Sequence, residues 1–191
     1  MKKVLIVVLV LMYTSAMNVL LAQDNNTDDH TITFTIPNVA LLDIEGGTTI
    51  DLGPEMPTPL EAGEAPDWTV AATEDNSLWL NYTSIKPSGV TSRKVSVKIT
   101  GTLPDNTTLK VESAAPTGIG GLGTAAAQLT LSTSDQDIIT GITSCYTLNG
   151  DDHGANLTYK ASLTGTANFG DLDAQSLGSS VTVTYTLVDV N

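Results

Sequence analysis

The stretch SSVTVTYTLVDV at Ser179–Val190 limits the possible folds of this chain more than any other feature. Val181, Val183 and Tyr185 alternate with threonines, and an extended chain places alternate side chains on opposite faces. β-Branched and aromatic residues also favour a pleated, half-buried surface. The stretch therefore predicts a strand with one face on a hydrophobic core and the other toward water.

Similar alternating stretches, separated by turn-forming residues, recur along the chain. Beyond the N-terminal residues, no long apolar segment has the 3.6-residue period of a helix. We therefore predict an all-β protein, an antiparallel immunoglobulin-like β-sandwich of about nine short strands. The predicted strands are 31–36, 49–52, 77–85, 93–102, 108–112, 128–132, 157–163 and 179–190, with 135–146 forming a helical turn and then a strand. The expected core is Val95, Val97, Ile99, Leu109, Val111, Leu129, Leu131, Tyr159, Val181, Val183, Tyr185 and Leu187.

The N-terminus has the pattern of a secretory signal peptide. Two lysines precede the apolar run Val4–Met12, and small residues lead to a cleavage site after Ala22. An uncleaved membrane anchor is the alternative interpretation, but the apolar run is short for a span. We expect residues 1–22 to be removed and a single domain, 23–191, to be exported without a membrane span.

Three segments of the exported part depart from the alternating pattern. Residues 24–30 are polar and are expected to form a disordered lead-in. Val39–Glu45 is too apolar for a strand on a sheet with one face in water. Residues 53–67 contain four prolines and four acidic residues, which predicts a long surface loop because proline cannot join a central strand ladder.

The chain is strongly acidic. Its formal net charge is −13, and loss of the two signal-peptide lysines takes the charge to −15. Such a surface argues against binding nucleic acid or anionic lipid through charge. It favours solubility, cation-rich surroundings or a basic partner, and a solvated acidic coat is the simplest interpretation.

Sequence motifs associated with cofactors lack their structural context. Gly118–Gly123 fits G-x-G-x-x-G, but the chain has no βαβ unit to hold a pyrophosphate, so a flexible loop is expected. Asp-Asp-His occurs at 28–30 and at 151–153 without the oxygen spacing of a calcium loop or the ligands of a zinc site. We expect no cofactor and no bound metal.

Catalysis is not expected either. Cys145 is the only cysteine, which excludes an intrachain disulfide, and its apolar neighbours predict a small buried side chain. The two histidines lie in turn-like segments, and no nucleophile with a base and an orienting partner is evident. A hydrolase built on an unrecognised pair of carboxylates remains the alternative.

Two groups of residues are candidates for binding. Trp68, Trp79 and Tyr82 would form an aromatic platform for a glycan, although core packing is the more usual role of such residues.

The second candidate is a donor strand. Ile32, Phe34 and Ile36 alternate with threonines and end at Pro37. Such a strand pairs either with its own sheet or with the exposed edge of a neighbour's sheet, using the same main-chain hydrogen bonds. Both interpretations are open at the level of sequence.

Five stretches resemble uncharacterised secreted β-proteins of Gram-negative bacteria. They are ITFTIPNVALLDIE, SLWLNYTSI, IITGITSCYT, GANLTYKASL and SVTVTYTLVD. More distantly, LTYKASL followed by SSVTVTYTL is similar to the end of spore coat protein U-like and chaperone–usher pilin subunits, immunoglobulin-like domains that polymerise by donating a strand. VTYTLVD also resembles the closing strand of the Trp-x-Leu cell-wall-binding domains of Gram-positive bacteria, with Tyr185 in place of the Trp.

These resemblances imply a secreted or cell-surface protein that is exported through the periplasm of a Gram-negative bacterium. They imply a structural or adhesive function, with other subunits or cell-surface components as partners and a homo-polymer as one form of assembly. The alternative function is a glycan- or cell-wall-binding module.

Overall fold

The computed structural model describes residues 29–52, 61–64, 74–103, 107–163 and 180–191. The chain divides into two units, Met1–Ile36 and Pro37–Asn191. The predicted signal peptide, Trp68 and most of the proline-rich loop lie outside the described residues.

The described residues form eleven β-strands and no helix. The strands are β1 (Val39–Glu45), β2 (Glu74–Ile85), β3 (Ser92–Thr100), β4 (Thr107–Ser113), β5 (Ile119–Gly120), β6 (Thr124–Ala125), β7 (Leu129–Thr130), β8 (Gln136–Ile142), β9 (Cys145–Tyr146), β10 (Ala155–Leu163) and β11 (Thr182–Val190). All pairings are antiparallel, and the strands form two sheets. The predicted all-β, antiparallel two-sheet architecture is confirmed.

The larger sheet has seven strands in the order β5-β9-β2-β10-β4-β7, with β1 paired to β2 as well. The smaller sheet has the order β11-β3-β8-β6. β2 is the longest strand: residues 79–85 pair with β1 along one side, while β10 and β9 share the other side. Its alternation places Leu78, Leu80 and Tyr82 in the core between the sheets.

The core residues largely match the expectation from sequence. Seven of the twelve are buried: Val95, Val97, Ile99, Leu109, Val111, Leu131 and Tyr159. Five are half-buried against the core: Leu129, Val181, Val183, Tyr185 and Leu187. Four of these five lie on β11 or immediately before it. Among the described strands, β11 is an edge strand with β3 as its one neighbour, so its side chains are less completely covered. The register of β11 is confirmed, because Thr184 is exposed while Val183 and Tyr185 face the core.

Several predicted elements were wrong. Residues 31–36 form no strand, and residues 49–52 form none either. Val39–Glu45, judged too apolar, is the first strand; its surplus apolar side chain, Leu41, is exposed on the outer face of the sheet. Residues 135–146 contain β8 and β9 with no helical turn.

The glycine-rich motif is an ordered crossing between the sheets. The segment leads from β5 in the larger sheet to β6 in the smaller sheet. It runs beside the connection from β8 in the smaller sheet to β9 in the larger sheet, because β5 pairs with β9 and β6 pairs with β8. Gly120 has a φ of 95°, and a Cβ there would lie 2.3 Å from the Ser144 carbonyl oxygen. The expected flexible loop was therefore wrong, because these glycines let two backbones approach closely as both change sheets.

Candidate interaction surfaces

The N-terminal segment, residues 29–36, presents apolar side chains to solvent. The exposed fractions are 63% for Ile32, 87% for Phe34 and 79% for Ile36. The first strand of the described chain is β1, and none of the described strands includes residues 31–36. Whether this segment pairs within the chain or with a neighbour stays a prediction. Three large apolar side chains exposed together in one short segment are unusual for a soluble surface.

The edges formed by β1 and β11 carry half-buried apolar side chains. Leu42 and Ile44 on β1, and Val183, Tyr185 and Leu187 on β11, all pack against the core yet keep part of their surface exposed. β1 and β11 contact each other although they belong to different sheets. Among the described strands, β1 pairs with β2 alone and β11 with β3 alone, so each has one side without a strand partner.

Arg93 fixes the start of β1 against the rest of the second unit. The side chain is almost completely buried. Its Nε donates to Asp189 Oδ1 at 2.6 Å, and its terminal nitrogens donate to Asn38 Oδ1 at 2.6 Å, Ser84 Oγ at 3.1 Å and the Val39 carbonyl oxygen. One guanidinium group thereby joins β1, β2, β3 and β11 where the N-terminal segment ends.

A pair of tyrosines connects the two sheets in the core. The hydroxyl oxygens of Tyr159 on β10 and Tyr185 on β11 are 2.6 Å apart, a hydrogen bond in which either group is the donor. Burial raises the pKa of Tyr159 to about 12, and burial also raises the pKa of Tyr185. Both hydroxyls therefore stay protonated, and the pair holds the edge strand β11 to the opposite sheet.

The predicted aromatic platform does not form as expected. Tyr82 is 2% exposed, and its hydroxyl donates to the Leu122 carbonyl oxygen at 2.5 Å inside the core. Trp79 is half-buried and, three positions away on β2, lies on the other face of the sheet. Trp68 lies outside the described residues. Trp79 and Tyr82 therefore cannot contact one ligand.

The outer face of the larger sheet carries an apolar row that the sequence analysis missed. Leu41, Thr83, Tyr146 and Ile119 are successive cross-strand partners on β1, β2, β9 and β5. Three of them are large and exposed: Leu41 at 64%, Tyr146 at 42% and Ile119 at 60%. The row joins residues from distant parts of the sequence, so a local pattern could not reveal it.

A shallow cavity of about 610 Å³ lies beside this row. The turn after β9 covers Asn81, whose Nδ2 donates to the Gly150 carbonyl oxygen at 2.9 Å. Asn81 is buried, and its Oδ1 has no hydrogen-bond partner among the described residues. The side chains at the cavity include Leu41, Asp43, Asn81, Tyr146, Leu148 and Asn149.

Within the described residues, no group of three or more His, Cys, Asp or Glu side chains is placed to hold a metal ion. Asp151, Asp152 and His153 lie in the turn before β10. The described residues also contain no helix long and apolar enough to cross a membrane. Cys145 is a free, buried thiol.

The fold and its edges define a two-sheet antiparallel β-protein with an exposed apolar N-terminal segment. Comparisons of the chain with protein-family models, with curated proteins and with solved structures found no match.

Proposed function

We propose that the protein is an exported, non-catalytic structural or adhesive surface protein whose subunits assemble by strand addition. In this proposal the N-terminal segment of one copy pairs with an edge of the next copy, and export runs through the periplasm of a Gram-negative bacterium. The observation that carries the proposal is the exposure of Ile32, Phe34 and Ile36 in a segment that forms no strand with the described residues.

The donor side has the chemistry that an added strand needs. Its three apolar side chains alternate with threonines, so they would lie on one face once the segment is extended. Residues 31–36 carry no charge, which avoids repulsion between two acidic copies. Burial of each side chain is worth about 1.5–3 kcal/mol, whereas ordering costs about 1–2 kcal/mol per residue.

These magnitudes nearly cancel, so the acceptor must also gain from the contact. The β1 and β11 edges meet this need, because an added strand there would cover the exposed parts of Leu42, Ile44, Val183, Tyr185 and Leu187. Its main chain would hydrogen-bond to an edge that lacks a described strand partner. We therefore propose the β1–β11 side of the sandwich as the acceptor.

Deletion of residues 24–36 tests the proposal. All described strands lie in Pro37–Asn191, so the truncated protein should fold. It should remain monomeric under the conditions in which the mature protein polymerises. Sedimentation velocity and negative-stain electron microscopy measure the assembly state, and circular dichroism checks the fold. A truncated protein that polymerises normally would contradict strand addition.

A matched pair of variants separates strand addition from a general effect of charge. Phe34→Asp and Thr35→Asp each add one negative charge at neighbouring exposed positions. Only Phe34→Asp changes the apolar face, so this variant should abolish polymers, while Thr35→Asp should retain them. Equal effects of the two variants would show that charge, and not the apolar face, controls assembly.

A further inference from the structure

The cavity on the outer face of the larger sheet combines an exposed aromatic ring with polar side chains. Tyr146 offers a ring that is 42% exposed, and Leu41 and Leu148 extend its apolar surface. Asp43 and Asn149, both exposed, lie at the same cavity. A volume of about 610 Å³ is within the usual range of small-ligand sites, about 300–1,000 Å³.

The backbone of the turn after β9 determines how Leu148 is placed at the cavity. Leu148 has a φ of 73°, a left-handed conformation that costs a non-glycine residue about 1–3 kcal/mol. Thr147 holds this conformation: its hydroxyl accepts from the Tyr82 N–H at 2.9 Å and lies 3.1 Å from the Leu148 carbonyl oxygen. The strain keeps a large apolar side chain exposed beside Tyr146, which core packing does not require.

Exposed polar side chains at the same place favour a ligand rich in hydroxyl groups. Asp43 and Asn149 provide hydrogen-bond acceptors and an amide donor at the rim of the cavity. Asn81 also lines the cavity, but its Oδ1 is fully buried, and a Cβ on Gly154 would lie 2.4 Å from it. This oxygen is therefore not available to a ligand.

Charge narrows the class of ligand further. None of the described side chains at the cavity is basic, and Asp43 is negative in a chain with a net charge of −13. An anionic ligand would be repelled, and a purely apolar ligand would leave the polar side chains without partners. A neutral sugar has both an apolar face, which stacks on an aromatic ring, and hydroxyl groups for the polar side chains.

We propose that this cavity, centred on Tyr146, binds a neutral glycan. The site differs from the aromatic platform expected from the sequence, and it does not depend on strand addition, since all its residues lie in the second unit. A subunit with such a site on its sheet face would bind a polysaccharide surface while its edges remain available for assembly.

Isothermal titration of the mature protein with neutral oligosaccharides tests the site. Cello-, malto- and chito-oligosaccharides are the probes, and oligogalacturonate is the anionic counterpart. At least one neutral probe should bind, and oligogalacturonate should bind more weakly. Absence of binding by all three neutral probes, or tighter binding of oligogalacturonate, would overturn the proposal.

Variants of the lining assign any binding to this cavity. Tyr146→Ala should weaken binding about tenfold or more, whereas Tyr146→Phe should retain most of it because the ring is preserved. Thr130→Ala, at an exposed position on β7 away from the cavity and from the β1–β11 side, is the control and should bind as the unchanged protein does. Circular dichroism verifies that each variant is folded. Unchanged binding by folded Tyr146→Ala would place the glycan elsewhere and overturn the proposal.

Discussion

Arg93 is a buried cation whose role depends on every one of its hydrogen bonds. Burial of a guanidinium group is unfavourable unless its donors are paired, and here they reach Asp189, Ser84, Asn38 and the Val39 carbonyl oxygen. A long hydrophilic residue in the alternating strand RKVSVKIT therefore acts as an internal connection between strands.

Replacement of this side chain should be among the most damaging single changes in the protein. Arg93→Met removes all four hydrogen bonds and leaves the buried Ser84 hydroxyl without this donor, so the free energy of unfolding should fall by about 3–5 kcal/mol. Asp189→Asn is the comparison: its amide oxygen can still accept from Nε of Arg93, so the loss should be smaller than that of Arg93→Met, although the counter-charge is removed. Urea denaturation measures both values. A loss below that of Asp189→Asn would show that the guanidinium group is not essential.

The tyrosine pair predicts that the free energy of unfolding decreases at high pH. Burial, followed by the charge of Asp75, raises the pKa of Tyr159 to about 12, although the bond to Tyr185 opposes the shift. The pKa of Tyr159 in the folded protein exceeds its unfolded value of about 10. Protonated Tyr159 therefore makes its full contribution to the free energy of unfolding below pH 10, and this contribution is lost as the pH rises from about 10 to 12. The slope approaches about 1.4 kcal/mol per pH unit for each such tyrosine.

Urea denaturation at pH 8 and pH 11 measures this dependence. The double variant Tyr159→Phe/Tyr185→Phe should lose less stability between the two pH values than the unchanged protein, because neither phenylalanine can ionise. Lysine deprotonation affects both proteins equally, so the difference between them isolates the tyrosines. Equal losses in both proteins would contradict the assignment.

At the scale of elements, the paired crossing of β5–β6 and β8–β9 determines how the two sheets are joined. Gly120→Ala would place a Cβ 2.3 Å from the Ser144 carbonyl oxygen in a backbone with a φ of 95°. We expect a loss of about 3 kcal/mol or more in the free energy of unfolding.

Gly141→Ala is the matched control for this change. Gly141 also has a positive φ, 74°, but a Cβ there meets nothing within 4 Å. The free energy of unfolding should therefore fall by about 1–2 kcal/mol, the cost of the backbone conformation alone. Thermal unfolding followed by circular dichroism compares the two variants, and equal costs would show that the close approach at Gly120 is relieved by a small shift.

At the scale of the whole molecule, the two proposed functions use separate parts of the protein. Assembly would use the exposed segment at 29–36 and the β1–β11 side of the sandwich, whereas glycan binding would use the outer face of the larger sheet. A polymer of such subunits would present one glycan site per copy. Weak single sites would then act together through multivalency.

The local sequence pattern by itself determined the all-β fold class and most of the core residues. The two-residue period of Val95, Val97 and Ile99 follows from the pleat of one strand, and no distant contact is needed to interpret it. The same reasoning correctly oriented Val183 and Tyr185 inward and Thr184 outward.

Only the tertiary structure decided which strands became edges and which side chains met across strands. TITFTI has the pattern of a strand, yet none of the described strands includes it, because alternation alone does not determine which edge a segment pairs with. Tyr146 and Leu41 are separated by more than a hundred residues and share a surface through β2. The glycines at 118–123 match a nucleotide-binding pattern in sequence, but the backbones that approach them give them a packing role.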